Sequence, residues 1–180
     1  MSTTVTIDGD SAQSQAGLCP WFALRVKPKH EKTATAALSA KGYETFLPLH
    51  LTRRKYGERY KNFHQPLFAG YFFSRFDPQD RLPILKTESI LGILGNGKEL
   101  VSVPDHEISA LQVAVESKLA VLPHPFLTVG DRVHLEEGPL RGTQGILVLL
   151  KGQDHLIVSV TLLQRSVSIQ IDRNWVRPLT

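Results

Sequence analysis

Val129-Gly130-Asp131-Arg132-Val133-His134-Leu135-Glu136-Glu137-Gly138-Pro139-Leu140-Arg141-Gly142-Thr143-Gln144-Gly145-Ile146-Leu147-Val148 is the stretch whose reading decides the fold. It reads as a strand, a Gly-Pro turn, two glycines three apart and a second strand. Glycines supply the positive φ and the close backbone approach that tight barrel corners require. From residue 127 to 180 no helical period appears, and short apolar runs are separated by Gly138-Pro139, Gly142, Gly145, Gly152 and Asn174. That punctuation predicts a small five-stranded β-barrel.

Upstream the pattern changes. Leu122-Pro123-His124-Pro125-Phe126 is a Pro-rich break, and a linker is expected over residues 121–126. Before it, residues 21–26 read as a strand stopped by Pro28. Residues 30–41 read as a helix with Ala34, Ala37, Leu38 and Lys41 on one face and Gly42 just past its end. Residues 43–51 read as a second strand, 52–61 as a polar hairpin tip, and 67–76 as an aromatic strand. Asp77-Pro78 opens a short helix. A strand, a Gly-Asn-Gly turn and a return occupy 89–101. Pro104 opens a helix with Ile108, Leu111, Val115 and Leu119 on one face. This order predicts an α+β domain over 19–120, an antiparallel sheet flanked by helices. Residues 1–18 are rich in Ser, Thr and Gln and read as a disordered tail.

Composition narrows the function. With 180 residues and 42% hydrophobic content the chain can bury real cores. A single cysteine, Cys19, excludes an intrachain disulfide framework and a Cys-based zinc cluster. No apolar run approaches the roughly 20 residues that span a bilayer, and no secretory signal is visible. A soluble, cytoplasmic, monomeric protein is expected. The net charge of +4 is uneven: eleven of the 21 Lys and Arg, against three acids, fall in residues 19–76. Such concentration points to a polyanion-facing surface.

A catalytic reading fails for want of parts. None of the seven His is paired with a carboxylate at metal-binding helical spacing. Cys19 has no evident His or Asn partner, and no phosphate-binding loop joins a strand to a helix. No enzyme, metal or cofactor is therefore expected. The basic stretch says more. Arg53, Arg54, Lys55, Arg59 and Lys61 alternate with Tyr56 and Tyr60. Cations contact phosphates and rings stack on unpaired bases, so these five are the candidate nucleic-acid contacts. In the aromatic strand, Tyr71 and Phe73 must share one face and Phe72 the other. Rings on both faces mean either helices on both sides or an apolar patch that docks a partner.

With those residues in view, the chain resembles a known family. The segment from Val133 to Gly145 is similar to the V-x-V-x-x-G-P-[FL]-x-G-x-x-G pattern of KOW domains, with Leu135 at a Val position. Residues 21–118 resemble the N-terminal domain of NusG-type factors through Trp21-Phe22, Pro66-Leu67-Phe68-Ala69-Gly70-Tyr71 and the run from Pro104-Asp105 to Leu111. Ala69-Gly70-Tyr71 stands where Pro-Gly-Tyr is usual, and Leu162-Leu163-Gln164-Arg165 lacks the usual Phe before Gly-Arg. Both departures look more like specialised paralogues of the RfaH and UpxY kind.

The resemblance implies a transcription elongation and antitermination factor. Its N-terminal domain would bind the clamp helices of RNA polymerase through Phe68, Tyr71 and Phe73. Its basic hairpin would face upstream or non-template DNA. Its barrel would recruit a small-subunit ribosomal protein or termination factor Rho through Leu162, Leu163 and Arg165. The alternative is a KOW-containing RNA-binding or ribosome-associated protein, which would bind ribosomal RNA without polymerase.

Overall fold

The computed structural model describes residues 19–97, 99–127 and 129–179. The expected disordered tail lies outside them. Strand β1 (Trp21–Val26) sits inside the first sheet. Its Trp21 and Ala23 face one side and Phe22, Leu24 and Val26 the other, and all five are buried. Helix α1 (Glu31–Ser39) covers the second side through Ala34 and Leu38. Strand β2 (Glu44–Phe46) is followed at Leu47-Pro48 by a break, so the single strand expected over 43–51 is two. Proline cannot donate to a ladder, and β3 (Leu49–Tyr56) leaves the sheet there.

Strands β3 and β4 (Arg59–Pro66) form a separate two-stranded ribbon. The expected hairpin tip over 52–61 is therefore mostly strand, and only Gly57-Glu58 turns. Gly57 has φ +61, which a two-residue hairpin turn favours and glycine adopts without strain. Strand β5 (Tyr71–Arg75) is shorter than the expected run from 67. Residues 67–70 bend instead, with Gly70 at φ +84 and its N–H donating to the buried Glu31 carboxylate at 2.8 Å.

A 3-10 turn (Pro78–Asp80) capped by Asp77 leads into α2 (Arg81–Leu85). Strands β6 (Ile90–Ile93) and β7 (Ser102–Val103) both pair with β1. Sheet order is β2-β5-β1-β6, antiparallel throughout. Helix α3 (Asp105–Glu116) covers the first side with Ile108, Leu111 and Ala114. It stops short of Leu119: Ser117 caps it and Lys118 turns left-handed at φ +61.

The expected linker over 121–126 is largely strand β8 (Val121–Pro125), paired with a barrel strand. The physical reason is positional. Pro123 and Pro125 have no N–H, so ladder bonds fall to the alternate residues Leu122 and His124, and the prolines leave the outer edge without donors there. The barrel itself comprises β9 (Asp131–Leu135), β10 (Gln144–Leu150), β11 (Gln153–Val160), β12 (Arg165–Gln170) and β13 (Val176–Pro178). These are the five strands expected. β8 joins the β12 edge as a sixth, giving the order β13-β9-β10-β11-β12-β8.

Two glycines of the opening stretch have their reasons visible. A Cβ on Gly138, already at φ +75, would meet the Trp175 ring at 2.6 Å, and one on Gly145 would meet the Ile157 carbonyl at 2.5 Å. The apolar interior of the barrel is continuous with the first side of the N-terminal sheet. Ala23, Phe68, Phe73, Ile108 and Leu111 belong to the same buried cluster as Val133, Leu156, Val160 and Val167.

Candidate functional site

The β3–β4 ribbon carries the candidate nucleic-acid residues. Its register sets Arg54 opposite Lys61, Lys55 opposite Tyr60 and Tyr56 opposite Arg59. Directly opposed residues share a face. Arg54, Arg59 and Lys61 therefore lie on one face with Tyr56, and Arg53 and Lys55 on the other with Tyr60. The five cations are brought onto one ribbon but not onto one surface. All are exposed, and among the described residues none forms an ion pair.

Each tyrosine is engaged by a cation. The Arg53 guanidinium sits 4.2 Å from the centre of the Tyr60 ring, and the Lys61 ammonium 5.9 Å from that of Tyr56. Such pairs hold long side chains beside the rings and ready for an anion. At the root of the ribbon, burial holds the His50 imidazole below its ordinary pKa.

The aromatic candidates lie at the bend and in β5. Phe68 and Phe73 are 1% and 0% exposed and meet edge to face at 6.0 Å. Tyr71 is half-buried. Alternation places Tyr71 and Phe73 on the α3 side, as the spacing predicts, with Phe72 beneath α1. The bend is built from sequence upward. Gly70 supplies positive φ, Glu31 receives its N–H, and Tyr71 N–H donates to the Phe68 carbonyl at 3.0 Å.

What covers this face is the third group. Leu162 and Leu163, in a 3-10 turn (Thr161–Leu163) between β11 and β12, pack on the shared cluster. The Arg165 guanidinium stands 5.3 Å from the Tyr71 ring centre and donates to the Ala69 carbonyl at 3.3 Å. The two candidate surfaces are thus pressed against each other.

A residue that sequence reasoning missed closes the contact. Glu107, buried in the first turn of α3, accepts from Thr161 N–H at 3.2 Å and from Thr161 Oγ1–H at 2.7 Å. In the sequence, an acid in a first helical turn reads as a partner for the helix dipole. Nothing in the sequence shows that it is answered by a residue 54 positions away. The arrangement is one of surfaces rather than of a cluster of reactive side chains. What it offers is one apolar surface, one cationic ribbon and a polar clasp.

A small antiparallel sheet with helices on both sides, followed by a KOW-like barrel, is the architecture of a transcription elongation factor. Residues 20–112 match the family described as NusG, transcription termination factor nusG, and the chain belongs to that family. No curated protein sequence matches at the significance required. The solved structure described as "Domain interaction in Thermotoga maritima NusG" is similar over 92% of this chain and 99% of its own, at 18% identity and a TM-score of 0.54. That likeness concerns the fold. The "Crystal Structure of MjSpt4:Spt5 complex conformation B" covers 89% of this chain and 97% of its own at 14% identity, and its TM-score of 0.31 is too low to add to the comparison. Among the described residues no helix is long and apolar enough to cross a membrane.

Proposed function

We propose that this elongation factor acts in antitermination, docking on the clamp helices of RNA polymerase through the face around Tyr71, Phe73 and Phe68, and that the arrangement described here is its resting state. The observation that carries the reading is the Arg165 contact with Tyr71 and Ala69. One contact engages both the docking face and the recruiting turn of Leu162, Leu163 and Arg165. Release of the barrel would expose both at once, so polymerase and a second partner would be engaged together. Two modest contacts on one chain then gain by effective concentration.

The division into domains over 19–120 and 127–180 belongs to the same reading. So does the assignment of the ribbon to upstream or non-template DNA, whose phosphates its unpaired cations suit. Likeness to the specialised paralogues rests on Ala69 and Leu163, the positions where this chain departs from the general pattern. The barrel would recruit a small-subunit ribosomal protein or Rho once released.

The test is binding of the full chain to core RNA polymerase beside an Arg165→Ala variant. Tighter binding by the variant supports a resting state. Weaker binding would mean that Arg165 itself contacts polymerase and that the barrel is not a cover.

A further inference from the structure

Between α3 and the barrel lies a cleft of about 670 Å³ that neither the docking face nor the ribbon uses. That volume falls within the range of small-molecule sites, which favour domain interfaces. Ala110 and Val113 of α3 form one wall, and Ile146 and Val158 of the barrel the other. Arg132 and Arg141 also line it. Arg132 lies opposite Ile146 across the β9–β10 pair, so the cation and the apolar wall share a face. Arg141 lies in the turn between β9 and β10, held by the Gly142 N–H bond to the Leu135 carbonyl at 2.8 Å.

Charge in the cleft is not balanced. Among the described residues neither arginine forms an ion pair. The acid in the lining, Glu107, is committed to Thr161. An apolar body with an anionic head complements this surface, since guanidinium groups bind carboxylate and phosphate in a matched fork.

We propose that the cleft binds a small organic anion, its apolar part between Val113 and Ile146 and its acidic head on Arg132 and Arg141. One wall comes from each domain, so the ligand binds only while the barrel is seated. The inference rests on the resting-state reading and adds its regulation: a ligand that binds one of two states shifts the population toward it. Saturation would hold the factor off polymerase.

The probe is 8-anilinonaphthalene-1-sulfonate, a sulfonate on apolar rings, titrated against the full chain by fluorescence. Saturable single-site binding is expected, weakened about ten-fold in an Arg132→Gln, Arg141→Gln variant whose melting temperature is unchanged. Adenosine monophosphate and decanoate serve as competitors, and displacement by one or the other identifies a nucleotide-like or a fatty-acid-like ligand. Binding indifferent to the arginine changes, or displaced by neither competitor, overturns the proposal.

An Arg165→Ala variant, which loosens the seated barrel without touching the cleft lining, separates this inference from the reading beneath it. Tighter polymerase binding with weaker probe binding supports both. Tighter polymerase binding with unchanged probe binding keeps the resting state and overturns the two-walled site. Unchanged polymerase binding counts against the resting state itself.

Discussion

Glu107 of α3 and Thr161 of the barrel are joined by a 2.7 Å hydrogen bond between carboxylate and hydroxyl, with the Thr161 backbone N–H donating to the same carboxylate. Hydrogen bonds to a charged group contribute about 1.5–3 kcal/mol. Glu107→Ala should therefore shift the seated barrel toward release by about ten-fold or more. Apparent polymerase affinity should rise by a similar factor, because it scales with the competent fraction. Far-ultraviolet circular dichroism should stay unchanged. A fall in affinity would place Glu107 on the polymerase-binding surface.

Phe68 and Tyr71 should separate by mutation. Phe68 is fully buried, so Phe68→Ala should cost about 3–5 kcal/mol of stability and lower the melting temperature sharply. Tyr71 is only half-buried. Tyr71→Ala should leave melting nearly unchanged and weaken polymerase binding about thirty-fold, the value of a central aromatic anchor worth about 2 kcal/mol. A large melting shift for Tyr71→Ala would make the ring structural.

The two faces of the ribbon should differ in salt dependence. Arg54, Arg59 and Lys61 share a face, as the pairing of Arg54 with Lys61 and Tyr56 with Arg59 dictates. Replacing these three with Ala should reduce the log–log salt slope of DNA binding by about two to three units. Replacing Arg53 and Lys55 should cost at most about two. Slopes equal to wild type for both variants would remove the ribbon from the nucleic-acid interface.

A protease of broad specificity such as proteinase K should cut first at the Lys118 turn. This residue is exposed and left-handed at φ +61, between α3 and β8. The Pro123–Pro125 segment, which composition alone marks as the weak point, is paired with β12 and should resist. Initial cleavage within β8, read by mass spectrometry, would show that this strand is not held.

Acid should destabilise the chain through His155. Burial, then the neighbouring His124, hold its imidazole below the usual 6.5, while Asp154 opposes them. The unfolded state then binds more protons than the folded one between 6.5 and the lowered value. Stability is full above about 6.5 and is lost as pH falls through that window. His50 contributes with the same sign. A His155→Gln variant should show a shallower loss of melting temperature between pH 7 and 5, and an equal slope would assign the dependence elsewhere.

Several elements were legible in sequence because their causes are local. The alternation of Phe72 and Phe73 follows from strand geometry, and Gly138 marks a turn against Trp175 while Gly145 marks a close strand approach where a Cβ would meet Ile157. The ribbon was legible as a basic, aromatic stretch. The division of its cations between two faces was not, because register depends on where the turn falls, and one residue's slip would exchange the faces. Pro123 and Pro125 read as a break since proline opposes regular structure. They are tolerated in β8 because an edge strand needs only every second N–H.

Residue order by itself determined the α+β domain and the barrel after it, since periodicity, turn chemistry and residue types act over a few positions. Tertiary structure alone decided that Arg165 lies on Tyr71, that Glu107 clasps Thr161 and that one apolar cluster runs through both domains. Those contacts join residues 54 or more positions apart. Burial of shared apolar surface drives such meetings, and it is non-directional, so no local pattern in either partner names the other.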